Sequence, residues 1–219
     1  MTAPQSLADL PYAEALQPFE GGPLGRGGEN DYDAVHFDGL VFEEAAVGGG
    51  RFIDCAFEAV TFDGGRLRGS RFSDVWFHEG RLISTDLAQT EWMDAAFVAV
   101  GVAGVQAFDA QLRRVVFERC KFDSINLRGS KLTEVVFDQC MLRDADFGGA
   151  ELTRVSFPGS RLVGADFSKA VCDRVDLRGA ELGISAGHDA LRGAIIDGGQ
   201  LIDLAPALAQ ALGITVSDF

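Results

Sequence analysis

The stretch "CKFDSINLRGSKLTEVVFDQCMLRDADF", Cys120 to Phe147, carries a large apolar residue at every fifth position: Phe122, Leu127, Leu132, Phe137, Leu142 and Phe147. An amphipathic helix repeats near 3.6 residues and a half-buried strand near 2, so a step of five fits neither. The same frame extends without insertion from Tyr32 to Leu182. It passes through Phe37, Phe42, Phe52, Phe57, Phe62, Leu67, Phe72, Phe77, Leu82, Leu87, Trp92 and Phe97, with Val47, Val102, Ala107 and Cys172 as its weak members.

Two residues before each centre stands a mostly small side chain, as at Val115, Cys120, Ile125, Ser130, Val135, Cys140 and Ala145, and the other positions are mostly polar, charged or glycine. Each unit therefore reads as a very short strand of alternating faces followed by a corner. Glycines at Gly64, Gly69, Gly129, Gly149, Gly159, Gly164 and Gly179 suit a corner that needs positive φ. If a coil takes 20 residues, Phe37, Phe57, Phe77, Phe97, Phe117, Phe137, Phe157 and Leu177 form one column, whereas a 15-residue coil scrambles that order. The square coil is the consistent choice. About eight coils stacked at about 4.8 Å make a rod near 40 Å long.

The units "DLRGAEL", "NLRGSKL", "DADFGGAEL" and "GADFSKA" resemble those of pentapeptide repeat proteins, over about Tyr32 to Leu201. The resemblance implies an all-β fold: a right-handed quadrilateral β-helix of four pentapeptides per coil. Some members of that family imitate duplex DNA, bind DNA gyrase or topoisomerase IV in the DNA-binding saddle, and protect them from quinolones. The uninterrupted frame and "LRGAIIDGGQ" leading into a helix resemble the loop-free, tail-to-tail dimeric members of that subgroup.

The expected organisation is an N-terminal segment and glycine-rich linker over 1–30, the β-helix over 31–201 with a loop insertion at 183–190, and a helical cap over 202–219. "SLADLPYAEALQPFE" reads as a short helix or cap and "GGPLGRGGEN" as a flexible linker. In "QLIDLAPALAQALG", Leu201, Leu204, Leu208 and Leu212 share one side, Pro206 should kink or divide the helix, and Gly213 should end it. That apolar side either covers the last coil or pairs with a twin in a homodimer.

The net charge of −14, from 33 acids and 19 bases, argues against nucleic acid or an anionic membrane as a direct partner. It permits a basic protein partner. The N-terminus lacks the basic start and apolar core of a secretory signal, so a cytoplasmic protein with reduced cysteines is expected.

Chemistry-bearing patterns are few. Gly183, Ser185 and Gly187 satisfy G-x-S-x-G, but a nucleophile elbow needs a strand-turn-helix context, and the adjacent His188 and Asp189 cannot both orient onto Ser185. Cys55, Cys120, Cys140 and Cys172 fit buried small hydrophobes with no zinc spacing. His36, His78 and His188 fall on different columns, so no metal site is expected, and the glycine clusters lack the Lys-Ser/Thr of a phosphate loop. The reading is a non-enzymatic binding protein without cofactors.

Outward residues sort into columns as well. Asp54, Asp74 and Asp94 stack on one corner, followed by Arg114, Glu134, Arg154 and Arg174; Asp38, Glu58, Glu118 and Asp138 share the next corner, with His78 and Val98 between them. Between these corners runs an apolar stripe of Ala56, Trp76, Ala96, Val116 and Val136. Three arrangements account for a stripe bordered by carboxylates: the N-terminal segment folds over it, it binds an unknown protein, or the acidic rod imitates DNA. The candidate partner-binding residues are therefore Asp54, Asp74, Asp94, Asp38, Glu58, Glu118, Asp138 and Trp76. A basic belt of Arg113, Arg114, Arg119, Lys121, Arg128 and Lys131 around the middle coils concentrates the negative field toward the N-terminal half, unless it pairs with Glu118, Asp123 and Glu134.

Overall fold

The computed structural model describes residues 3–22, 24–25 and 30–217; half of the expected linker "GGPLGRGGEN", namely Pro23 and Arg26 to Glu29, lies outside them. Successive coils pair in parallel with a register of 20 residues: His36, Phe37 and Asp38 stand opposite Ala56, Phe57 and Glu58, which stand opposite Trp76, Phe77 and His78. Three walls are parallel sheets of seven, eight and eight strands. The fourth is a ladder of single bridges through Ala46, Arg66, Asp86, Gln106, Asn126, Asp146 and Asp166. The square coil expected from the phenylalanine column is the coil observed.

Large side chains fill the interior in stacks. Phe37, Phe57, Phe77, Phe97, Phe117, Phe137 and Phe157 lie ring on ring at centroid spacings of 4.2–5.0 Å. Tyr32, Phe52, Phe72 and Trp92 form a second stack on the adjoining wall. Offset-parallel contact at this spacing adds to the apolar burial of each ring. The small inward position has a second duty where it is polar. Ser70, Ser130 and Ser160 donate through Oγ to Val47, Ala107 and Phe137 carbonyl oxygens at 2.7, 2.8 and 2.7 Å, and the thiols of Cys120 and Cys140 do the same to Phe97 and Phe117 at 3.3 Å. Each of these bonds reaches back 23 residues, to the coil below. All four cysteines are buried and unpaired. Burial pushes the Cys55 thiol up to about 12, and contact with Cys120 together with burial pushes the Cys140 thiol up, so neither is a ready nucleophile.

From Tyr32 to Leu177, the corner residue two after each centre is left-handed whether or not it is glycine. Asp54, Asp74, Asp94, Arg114, Glu134, Arg154 and Arg174 have φ between 50° and 58°. Inter-coil bonds impose this: Asp54, Asp74 and Arg114 donate their backbone N–H groups to Ser73, Met93 and Thr133 of the next coil at 3.0–3.1 Å. A side chain in this region costs about 1 kcal/mol, which the surrounding ladder overrides.

Both ends are closed. Gln17–Pro18 adds a short strand beside Val35 and His36, and Phe19 packs its ring on Phe37 at 4.8 Å. Proline at this edge offers no N–H to a further strand. At the other end, the frame shift after Leu182 is absorbed within a strand and not in a loop over 183–190. Glu181–Ala186 pairs with Arg161–Asp166 through a register irregularity, and only His188–Leu191 forms a 3-10 turn. Ser185 Oγ donates to the Gly164 and Ala165 carbonyl oxygens at 2.9 and 3.1 Å, so the G-x-S-x-G match is part of the ladder.

The helical cap expected over 202–219 begins earlier, spanning Gly198–Ala211, because Asp197 and Gln200 form a reciprocal capping box. Pro206 does not divide it. The proline and Ile202, whose carbonyl it orphans, are both on the solvent side, where water can take the lost bond. Gly213, at φ 71°, ends the helix as expected, with Gly213 and Ile214 amides bonded back to Gln210 and Ala209.

The glycines give a direct test. Gly69 has φ 68° and open space where a Cβ would lie, whereas a Cβ on Gly65 would stand 2.5 Å from Ala45 O and 2.6 Å from Ala45 N. Urea unfolding should show Gly69→Ala costing about 1 kcal/mol and Gly65→Ala about 3 kcal/mol or more. Equal costs would contradict the packing of these coils.

Candidate functional site: the strapped acidic face

The N-terminal segment runs along the outer face of the phenylalanine wall as a strap. Ala3 and Leu10, with Leu7, Tyr12, Ala13 and Leu16 around them, pack on Ala56, Trp76, Ala96, Val98 and Val116 as an apolar cluster separate from the coil interior. Two short 3-10 turns, Leu7–Asp9 and Ala13–Ala15, replace the expected helix. The strap is pinned across several coils. Trp76 Nε1 donates to Pro4 O at 3.0 Å, Tyr12 donates to Cys55 O at 3.4 Å, and Gln5 Nε2 donates to Glu118 Oε2 at 3.1 Å. The N-terminal segment thus folds over the stripe, as the first of the anticipated arrangements has it. Trp76, expected on an exposed stripe, is 1% exposed beneath the strap.

The carboxylates around it divide into neutralised and free. Arg114 holds Asp94 through two bonds of 2.6 Å, and Arg154 holds Glu134 from the next coil at 2.8 and 3.1 Å. Glu118 is buried, paired with Arg119 and bonded to Gln5. Of the basic belt, Arg114, Arg119, Arg128 and Lys131 thus find carboxylates, but at Asp94, Glu118, Asp146 and Glu151; Asp123 and Glu134 are not among their partners. Among the described residues no cation lies within ion-pair distance of Asp38, Asp54, Asp74 or Asp138. Asp74 sits with Asp94 and Arg114 along a cleft between the wall and the strap residues Ala3, Pro4, Leu10 and Tyr12.

One grouping was missed by sorting histidines into columns. His36 and His78 do stand on different columns, yet both face Glu58: His36 Nε2 lies 3.3 Å from Glu58 Oε2 and His78 Nδ1 4.0 Å from Glu58 Oε1. Ligand atoms of His36, Asp38 and Glu58 all lie within 4.8 Å of one another. The usable signal was the alternation within a strand, which puts positions i and i+2 on one outer face.

Partial burial, then repulsion from Asp94 and Asp54, hold the Asp74 carboxyl above its ordinary value of 3.8, against the opposing pull of Arg114. Its folded pKa therefore exceeds its unfolded one, so stability falls as pH rises through that window and the penalty is complete at pH 7. Asp74→Asn, which keeps a residue tolerant of the left-handed corner, should raise stability at pH 7 by about 0.5 kcal/mol or less for so exposed a group. The gain should vanish below pH 3.8, where aspartate is neutral in both states. A gain independent of pH in urea titrations would refute the repulsion.

Comparison with known proteins bears on the repeat itself. The family model for the pentapeptide repeat region matches residues 90–167. No curated protein matches the sequence. Among solved structures, a trypsin-treated form of QnrB1, a plasmid-mediated fluoroquinolone resistance protein, aligns over 85% of this chain and 99% of its own, with 16% identity and a TM-score of 0.43. A pentapeptide repeat protein of the Arabidopsis thaliana thylakoid lumen aligns over 55% and 74%, with 15% identity and a TM-score of 0.43. HetL, a pentapeptide repeat protein involved in heterocyst differentiation regulation in the cyanobacterium Nostoc sp., aligns over 78% and 91%, with 19% identity and a TM-score of 0.23. The frame that residues 90–167 share with the family model for the pentapeptide repeat region runs unbroken through the coils on either side of them.

Proposed function

We propose that this chain is a non-enzymatic scaffold whose acidic N-terminal half docks onto a basic protein surface, and that this surface is the DNA-binding saddle of a type II topoisomerase, DNA gyrase or topoisomerase IV. The observation that carries the reading is the set of carboxylates with no cation within ion-pair distance among the described residues, Asp38, Asp54 and Asp74, on neighbouring coils near one end of the rod. Residues 1–70 hold twelve acids and four bases, whereas residues 71–140 hold ten and eight, so the field is strongest there. Duplex DNA carries about one charge per 1.7 Å of axis, and a rod with stacked carboxylates supplies a sparser version of the same pattern. Because the strap already covers the apolar stripe, this docking is electrostatic and weakens with salt. The covered stripe also favours the second reading, a general interaction scaffold for another basic partner.

Gyrase supercoiling with and without a fluoroquinolone decides between them. Dose-dependent inhibition or drug protection is expected, reduced about tenfold or more in Asp38→Asn/Asp54→Asn/Asp74→Asn, in which Asp38 is a strand residue and asparagine at the two corners, 54 and 74, tolerates the left-handed geometry. No effect up to tens of micromolar would eliminate the topoisomerase reading and leave the scaffold.

The C-terminal helix is the proposed homodimer contact. Leu204 is buried against the last coil and Leu208 is half-buried, so they serve as a cap. Leu201, Ile202, Leu212, Ile214 and Val216 are exposed, and a two-fold contact would cover them. Sedimentation equilibrium should give a dimer that Ile202→Asp/Ile214→Asp converts to a monomer. A wild-type monomer at tens of micromolar would rule the contact out.

A further inference from the structure

The grouping around Glu58 is built in a way that solubility does not require. His36 and Asp38 flank the inward Phe37, so both project from the same outer face. Register places Asp38, Glu58 and His78 one above another on consecutive coils, and sets Ala56 beside His36. The small Ala56 side chain leaves room for the imidazole to lean toward Glu58, the diagonal neighbour, within reach of a long side chain. His36 Nε2 and His78 Nδ1 are both buried atoms without a hydrogen-bond partner, although each faces a carboxylate oxygen. Buried polar atoms are nearly always satisfied, so two such nitrogens aimed at one carboxylate call for an explanation.

The surrounding structure holds these groups in place. The His78 ring stacks on Trp76 at 4.9 Å and 7°, and Trp76 is in turn bonded to Pro4 of the strap. The His36 backbone is fixed by the Phe19 amide, which donates to its carbonyl at 2.8 Å. Asp38 is exposed and gives access from solvent. Ligands about 2.0–2.1 Å from a tetrahedral ion stand about 3.3–3.4 Å apart, which matches the 3.3 Å between His36 Nε2 and Glu58 Oε2. Imidazole with carboxylate suits zinc-like transition ions, whereas magnesium and calcium prefer all-oxygen sites.

We propose that His36, Asp38 and Glu58 bind a divalent transition-metal ion of the zinc type, stitching the first two coils of the phenylalanine wall together. The simpler competitor is a protonated His36 paired with Glu58, which needs no ion. Calorimetric titration of the tag-free full-length chain with Zn²⁺ at neutral pH, and of Co²⁺ followed by its visible absorption, separates the two. The expected result is one ion per chain with micromolar or tighter affinity, a Co²⁺ spectrum of low coordination number, and a rise in thermal midpoint with added Zn²⁺. His36→Gln and Glu58→Gln should each weaken binding at least tenfold. Asp38→Asn, at an exposed position that leaves the coils intact, should weaken it severalfold, and His188→Gln, at the other end of the rod, should leave it unchanged. No binding below about 100 µM, equal binding of Mg²⁺, or affinity unaltered in His36→Gln and Glu58→Gln would overturn the site.

Discussion

Everything in this molecule depends on the backbone ladder that joins each coil to the next with a register of 20 residues. Parallel pairing at this pitch satisfies the amides of strands only three residues long, which alone would be marginal. It also puts like above like. From Phe37 to Phe157 phenylalanine meets phenylalanine, an inward serine such as Ser70 finds a carbonyl 23 residues back, and a corner keeps its left-handed turn even when an arginine occupies it. The sequence is thus selected column by column more than residue by residue.

That constraint explains what could be read in advance. The five-residue step, the square cross-section and the inward columns were legible because they follow from one repeated burial rule, seen in Phe37 through Phe157. The corner conformation was legible only at glycines such as Gly64 and Gly69; at Arg114 or Arg154 it is imposed by the neighbouring coil and leaves no local trace. The strap was foreseen as one option, on this face, because "SLADLPYAEAL" lacks the frame and the outward stripe of Ala56, Trp76 and Ala96 is too apolar to be left to solvent. The pairing of His36 and His78 across Glu58 escaped because column sorting ignores diagonal neighbours.

The aspartate corner shows how a backbone conformation can favour one residue type. Asp54, Asp74 and Asp94 occupy left-handed positions, where aspartate is better tolerated than most side chains, so part of their presence is conformational. Arginines at Arg114, Arg154 and Arg174 in the same column show that the fold accepts the opposite sign. Asp94 is neutralised by Arg114, whereas among the described residues no cation lies within ion-pair distance of Asp54 or Asp74. The fold accepts either sign along the column, and where the sign alternates, at Asp94–Arg114 and Glu134–Arg154, it ties one coil to the next.

The end of the rod is equally informative. Gln200 Nε2, from the first turn of the helix, donates to Leu177 O at 2.6 Å and Ala180 O at 2.7 Å. These are the spacings, 23 and 20 residues, at which a further coil would have reached back. One amide side chain therefore impersonates the missing turn, and the ladder stops growing there. Such a stopper senses only the last coil and is blind to how many lie beneath it. Gain or loss of whole coils in the middle of the chain would leave the terminus undisturbed, so length in this architecture is free to drift in steps of one turn while both ends stay closed.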